Sequence, residues 1–569
     1  MPVTASLSSE QMDIVDMPLG PVAVTACAGS GKTRTAVHRL ASMRKMEEGR
    51  GLVALLSFSN VAVDTFRREY ADLLRALPVI GRSASVEIDT MDGFITTNVL
   101  RPHGHLVMGC SRAPYLVEGG EAFLKAFTVF DGKIPRPTAD IDVAWDGVRF
   151  NFLAGRAATQ LPSARAEAGL ARLGSFGAYS HSAGRYWVLR ILREKPFVLR
   201  ALSRRYPHIL VDEAQDVGPE HQAILDLLIG AGSQVSLIGD PNQGIFDFAR
   251  ADGGFLRSYG ARSSVSARTL SVNYRSLPGI VDVANRLIGG SDIADRKSPN
   301  QRSVAYYIPY RTDGRDDALA SFRSLIGAAG LNPRNGVVLC RSSDLTAEWR
   351  GEMDGQGVGV VRCMAEAAIS RDRRDFNRAF EKACVGLSGL LAAKHGSLGS
   401  ELARPINERT RLLRRLVWSF VRDPIAGLPS AALVADAVWH PEMNTRVRAV
   451  VAMMVADFGF EAADNLGQRL ANKKLTSRPL VAAPSLATEH AVPLRTSTVH
   501  RVKGESLESV LYVAKKPHVR ALLAGTDTED GRIGYVALTR AKDLFVLAVP
   551  ENCLKEFEPA LQSAGLVHA

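Results

Sequence analysis

Along much of this chain, short apolar runs alternate with longer stretches whose apolar residues recur at helical spacing. Residues 22–25, 52–58, 86–90, 208–211 and 234–239 have the length and content of buried strands, and 33–43, 61–74 and 223–229 have the spacing of helices. Strands alternating with helices predict a doubly wound parallel α/β sheet, in which ligand-binding residues collect at the carboxyl ends of strands. A second alternation begins near residue 268, with strands expected over 269–274, 336–340, 509–514 and 544–549. Two interruptions separate these blocks. Residues 100–194 loosen into mostly helical fragments rich in Gly, Ala and Arg, and residues 345–490 lose strand character altogether. The first block is thus expected over 1–99 and 195–265, and the second over 266–344 and 491–569, reached through a Ser-, Pro- and Ala-rich return at 475–493.

Composition narrows the class. At 569 residues the chain exceeds a single core, and its 46% hydrophobic and 23% charged content is that of an ordinary globular protein. A net charge of +11 favours a polyanionic partner. The six cysteines show neither metal-ligand spacing nor a pairing framework, which fits reduced thiols. No apolar run has transmembrane length and the first residues lack a signal-peptide pattern, so a cytoplasmic location without membrane attachment is expected.

The strand ends carry the chemistry. The first strand opens into Thr25-Ala26-Cys27-Ala28-Gly29-Ser30-Gly31-Lys32-Thr33, and a helix follows. Such a turn presents backbone N–H groups and a helix N-terminus to the phosphates of a nucleotide. Lys32 is then the cation for the β/γ oxygens and Thr33 the hydroxyl for Mg²⁺; Ala28, Gly29, Ser30, Gly31 and Arg34 complete the predicted binding set. The usual first glycine of this pattern is replaced by Ala26. Asp212 and Glu213 end the strand at 208–211, where one carboxylate can orient Mg²⁺ through water and the other can activate the attacking water. Gln243, just beyond 234–239, is placed to sense a γ-phosphate.

Other residues admit two readings. Gln11 either caps its own helix with Ser8 or reads adenine through its carboxamide. Phe58 and Asn60 suit either a strand-to-helix cap over a core ring or a stacked base and a backbone phosphate; Phe246 and Phe248 are likewise core or platform. Arg371, Arg373, Arg374, Arg378, Arg409, Arg411, Arg414 and Arg415 form either a solvated face or a nucleic-acid surface.

Taken in order, Gln11, the loop ending in Lys32-Thr33, Phe58-Ser59-Asn60, Val211-Asp212-Glu213-Ala214-Gln215-Asp216, Gly239-Asp240-Pro241-Asn242-Gln243, Asn273-Tyr274-Arg275-Ser276, Thr498-Val499-His500-Arg501-Val502-Lys503-Gly504 and Tyr535-Val536-Ala537-Leu538-Thr539-Arg540-Ala541 form a recognisable set. The set resembles superfamily 1A DNA helicases of the UvrD/Rep/PcrA type. The resemblance implies two RecA-like P-loop domains with ATP and Mg²⁺ between them, each carrying a mainly helical inserted subdomain. Gln11 becomes the adenine reader, and Lys32, Asp212, Glu213, Gln243, Arg275 and Arg540 the catalytic set, with the two arginines entering as the cleft closes. Thr33 and Asp212 would hold the metal, Tyr274 would lie near the base, and the acid on the ribose would be Glu505 or Glu508. Phe58, Asn60, Phe248, Thr498 and His500 fall where the family contacts single-stranded DNA.

The activity implied is ATP-dependent 3′-to-5′ translocation on single strands, with unwinding at single/double-strand junctions, in repair or phage defence. The chain departs from the family at Asp92, where a histidine is usual, and at Arg250, where an arginine is displaced by one position. Compact relatives of this kind stand beside OLD-family nucleases in Gabija-type defence pairs. That supplies a second reading, a nucleotide- and DNA-binding sensor that regulates a nuclease while unwinding little.

Overall fold

The expected buried runs form a six-stranded sheet of β1 (Val22–Ala26), β2 (Val53–Ser57), β3 (Val86–Thr90), β4 (His208–Val211), β5 (Gln234–Gly239) and β6 (Ser266–Leu270), in the order β6-β1-β5-β4-β2-β3. All its pairings are parallel, with Val24 opposite Ile238 on one side and Arg268 on the other. The computed structural model describes residues 7–76, 86–119, 121–132, 134–155, 158–245, 250–297, 304–311, 314–350, 357–392, 398–403, 407–423, 425–480 and 494–569. Phe246, Phe248 and most of the return segment lie outside the described residues.

Alternation along each strand sends neighbouring side chains to opposite faces. Val24, Leu55, Leu210 and Ile238 pack with Leu40 and Phe66 on one face; Ala23, Leu56, Ile209 and Leu237 pack with Phe94, Trp187 and Ile224 on the other. Both faces are covered, which is why these strands read as continuous apolar runs. Each fully buried aliphatic side chain here contributes on the order of 1.5–3 kcal/mol.

The second sheet holds β7 (Ala305–Tyr310), β8 (Gly336–Cys340), β9 (Leu507–Val513), β10 (Ala541–Pro550) and β11 (Val567–His568), in the order β8-β9-β10-β7-β11. Against it packs the helix Glu529–Arg540, buried at every position from Gly531 to Arg540.

Three expectations are corrected. The first block does not stop at 265, because β6 pairs along the whole of β1. Its residues Ser266 to Thr269 are exposed and only Leu270 is buried, so this edge strand carries no apolar run to mark it. Strand β7, interior to the second sheet, was absent from the expected set because Pro309 breaks its pattern. The first insertion is less uniformly helical than its composition implies. Thr128–Asp131 pairs with Ile134–Pro137 as a hairpin, and Ile141–Trp145, Phe150–Ala154 and Thr159–Gln160 form an antiparallel sheet, beside the helices Ser163–Ser175 and His181–Glu194.

Cys340–Thr498 is a compact unit of its own; Met1–Leu339 and Val499–Ala569 form the other. Its helices Val360–Asp372, Phe376–Ser388, Glu408–Arg422 and His440–Phe458 enclose Met364, Leu387, Val417, Trp439 and Met443. Among the described residues, no helix is long and apolar enough to cross a membrane.

Candidate active site

β1 delivers the phosphate loop. Ala26 is the last strand residue, buried and paired with Leu270, so the position that usually carries glycine needs no special backbone here. Gly29 and Gly31 do, with φ of 73° and 80°. A Cβ on Gly29 would also lie 2.6 Å from the Arg275 Cβ, because the Asn273-Tyr274-Arg275 segment packs directly on the loop. There the Tyr274 N–H donates to the Gly29 carbonyl at 3.0 Å. Lys32 opens the helix Lys32–Met46 and donates from Nζ to the Cys27 carbonyl at 3.2 Å; Ser30 Oγ donates to the same oxygen at 2.9 Å. Thr33 and Arg34 stand half-buried on the helix's first turn, and Ala28 is buried beneath the loop.

Gln11 forms the cap that one of its readings expects, and its carboxamide also touches the phosphate loop. Its Oε1 accepts from the Ser8 N–H as half of a capping box, while Nε2 donates to the Ser30 carbonyl at 2.9 Å. The cap holds the carboxamide against the phosphate loop.

β4 delivers the carboxylates. Asp212 is buried and its Oδ1 has no hydrogen-bond partner. Burial, then the neighbouring Glu213, raises its carboxyl well above the ordinary range. Burial pushes Glu213 upward too, but Lys32, Lys503 and the Gln215 amide outweigh it and hold this carboxyl low. Glu213 sits at φ 53°, a left-handed conformation uncommon for a residue with a side chain. An orphaned, buried carboxylate oxygen facing Lys32 is chemically suited to a hydrated Mg²⁺, with the Thr33 hydroxyl as the other protein donor.

The second sheet's domain supplies the opposite charges. Arg540, at the end of Glu529–Arg540, donates from Nη2 to Gln243 Oε1 at 2.8 Å, and Gln243 Nε2 donates to Asp240 Oδ2 at 2.7 Å. The Asp240 N–H donates to Gln215 Oε1, and Gln215 Nε2 reaches Glu213. One hydrogen-bonded chain thus joins Arg540 to the carboxylate pair across two sheets. Arg275 donates to the Thr539 carbonyl at 3.0 Å; burial, then the like charge of Arg540, pushes its guanidinium down to about 9. Glu505 accepts from Arg540 through its backbone oxygen, at 3.4 Å, whereas Glu508 on β9 has a buried Oε2 without a partner.

Two sheets that converge on one phosphate loop, with carboxylates from one and arginines from the other, are the decisive feature. A model of the UvrD/REP helicase N-terminal domain matches residues 7–133 and 181–260. The chain is 26% identical to DNA helicase II of Haemophilus influenzae, over 96% of this chain and 84% of that protein. It is 22% identical to ATP-dependent DNA helicase PcrA of Staphylococcus epidermidis, over 95% of this chain and 83% of that protein. The chain is thus similar to UvrD-like helicases over most of its length. Similarity to ATP-dependent DNA helicase UvrD2 of Mycobacterium bovis, at 28%, covers 51% of this chain, which spans only 44% of that relative.

In this UvrD-like frame, the two sheets are the RecA-like pair. Phe58 leaves β2 half-buried, and Ser59 caps the helix Asn60–Ala76 through Oγ, leaving Asn60 exposed on its first turn. His500 donates from Nε2 to the Ile245 carbonyl at 2.9 Å, and Thr498 ends the strand Arg495–Thr498 half-exposed. The displaced Arg250 donates to Glu220 Oε1 at 2.8 Å, the oxygen that also accepts the Trp145 N–H at 2.7 Å. That arginine therefore braces the first insertion.

Sequence reasoning missed two pairs. Lys503 Nζ lies 2.6 Å from both oxygens of Asp216, joining the two RecA-like domains beside the carboxylates. Asp92 accepts two hydrogen bonds from Arg185 and one from His221. Burial pushes the Asp92 carboxyl up, yet these partners hold it far below the usual carboxylate range. Both pairs join residues far apart in sequence, and no local spacing signals them.

Proposed function

We propose that the protein is a DNA-dependent ATPase that translocates along single-stranded DNA in the 3′-to-5′ direction and separates duplexes at junctions. The observation that carries this reading is the reach of Arg540 to Gln243, because it makes the arginine's position depend on cleft closure. In this reading Lys32 neutralises the β/γ oxygens and Glu213, kept ionised by its cationic neighbours, accepts the proton of the attacking water. Gln243 exchanges its bond to Asp240 for the γ-phosphate, and Arg275 and Arg540 stabilise the charge that develops on transfer. Mg²⁺ held by Thr33 and, through water, by Asp212 would supply Lewis-acid stabilisation of the phosphate oxygens. Gln11 and Tyr274 border the adenine; Phe58, Asn60, Thr498 and His500 contact the strand.

Strand-displacement assays on duplexes with a 3′ or a 5′ single-stranded tail test the reading. Displacement of the 3′-tailed substrate alone, lost in Lys32→Ala, is expected. Nucleotide binding without displacement of either substrate would contradict it and favour a regulatory subunit.

A further inference from the structure

Phe58 has one aromatic neighbour whose role the sequence does not announce. The His221 ring packs against it in a T-shaped arrangement, with centroids 5.5 Å apart and planes at 70°. His221 lies in the first turn of the helix Pro219–Gly230, buried at 5% exposure, and its Nε2 donates to Asp92 Oδ1 at 2.9 Å. Asp92 also receives Arg185 through Nε at 2.9 Å and Nη2 at 2.7 Å. Arg185 comes from the helix His181–Glu194 of the first insertion.

The fork of a guanidinium fixes both carboxylate oxygens, and the fixed carboxylate in turn fixes the imidazole. Next to His221, Glu220 holds the Trp145 N–H and Arg250. The turn under Phe58 is therefore pinned at two consecutive residues. It also follows the Asp212–Asp216 segment closely in the chain.

We propose that His221, oriented by the Asp92–Arg185 pair, is a positioning residue that sets the ring of Phe58 for stacking on a DNA base. Asp92 then carries no DNA contact of its own; its charge is spent on holding His221. The inference rests on Phe58 being a strand contact, as proposed above. A T-shaped neighbour at 5.5 Å restricts rotation of the Phe58 ring, so the ring is held in one orientation, which is what stacking on a base requires.

The test is stimulation of ATP hydrolysis in the full chain by an oligothymidylate and by an abasic oligonucleotide of equal length. The readout is the ratio of the concentrations giving half-maximal stimulation, because only stacking distinguishes the two ligands. His221→Ala is expected to reduce the preference for thymidylate about tenfold, as Phe58→Ala does, with no further loss in the double variant. His221→Gln keeps a donor for Asp92 but lacks the ring, and the same loss of preference is expected. A general structural defect would weaken both ligands alike and leave the ratio intact, which overturns the proposal. If Phe58→Ala removes the preference and both His221 variants keep it, positioning by His221 is overturned while the strand contact stands. If Phe58→Ala itself keeps the preference, the strand contact fails and the proposal falls with it.

Discussion

Arg540 in the cleft and Arg371 in the helical unit are both buried, at 2% and 8% exposure, yet they are satisfied to different degrees. Arg371 gives Nε and Nη2 to Asp372 and Nη1 to the Leu428 carbonyl. Asp372 spends its other oxygen on the Ser430 hydroxyl and the Ala431 N–H, so the pair staples that turn to the helix Val360–Asp372. In the cleft, Arg540 Nε and Asp212 Oδ1 are both buried without partners. A complete set of local partners marks a structural role. Where an arginine and a carboxylate beside one phosphate loop are both incompletely satisfied, the arrangement suits a ligand that would complete them.

That distinction can be broken by substitution. Arg540→Ala is expected to lower DNA-stimulated turnover by about 10³-fold or more while leaving the denaturation midpoint near that of the parent. Lys32→Ala is expected to cost about 10²–10³-fold in turnover, measured by steady-state hydrolysis. Arg371→Ala should do the reverse: it leaves Asp372 enclosed without its cation and costs about 3–5 kcal/mol of stability by denaturant titration, with turnover little changed. Equal losses of activity for Arg540 and Arg371 variants would erase the contrast.

The smallest expected effect is on pH dependence. Burial raises the Asp216 carboxyl from 3.8 to about 6 in spite of Lys503. Between those values the folded protein keeps a proton that the unfolded chain has released, so the stability from this group is complete below the unfolded value and falls as pH rises through about 6. Asp216→Asn should flatten that part of the stability curve, which denaturation between about pH 4 and pH 7 would show.

What could be read from the chain alone follows from how local each signal is. The phosphate loop, Asp212, Glu213 and Gln243 follow buried strands directly, so their places were legible. Gln11 was legible as a cap or as a reader; only the three-dimensional approach of Ser30 shows that one side chain meets the helix cap and the phosphate loop together. Edge strand β6 was misassigned because exposure removes the apolar pattern, and β7 was lost to a proline. The basic residues of the helical unit were weighed as a solvated face or a nucleic-acid surface. Most are exposed, as a solvated face would be, and several also clamp backbone carbonyls of their own unit: Arg373 on Arg350, Arg409 on Phe458 and Arg414 on Leu402. Spacing along a helix shows where an arginine points but not which carbonyl waits there.

The central claim is that the cleft between the two sheets hydrolyses ATP in response to DNA. Its most direct test is steady-state hydrolysis by the purified protein with and without single-stranded DNA, beside Glu213→Gln. Strong stimulation by DNA, abolished in the variant while nucleotide binding persists, is the expected result. Hydrolysis indifferent to DNA, or undiminished in Glu213→Gln, would contradict the account.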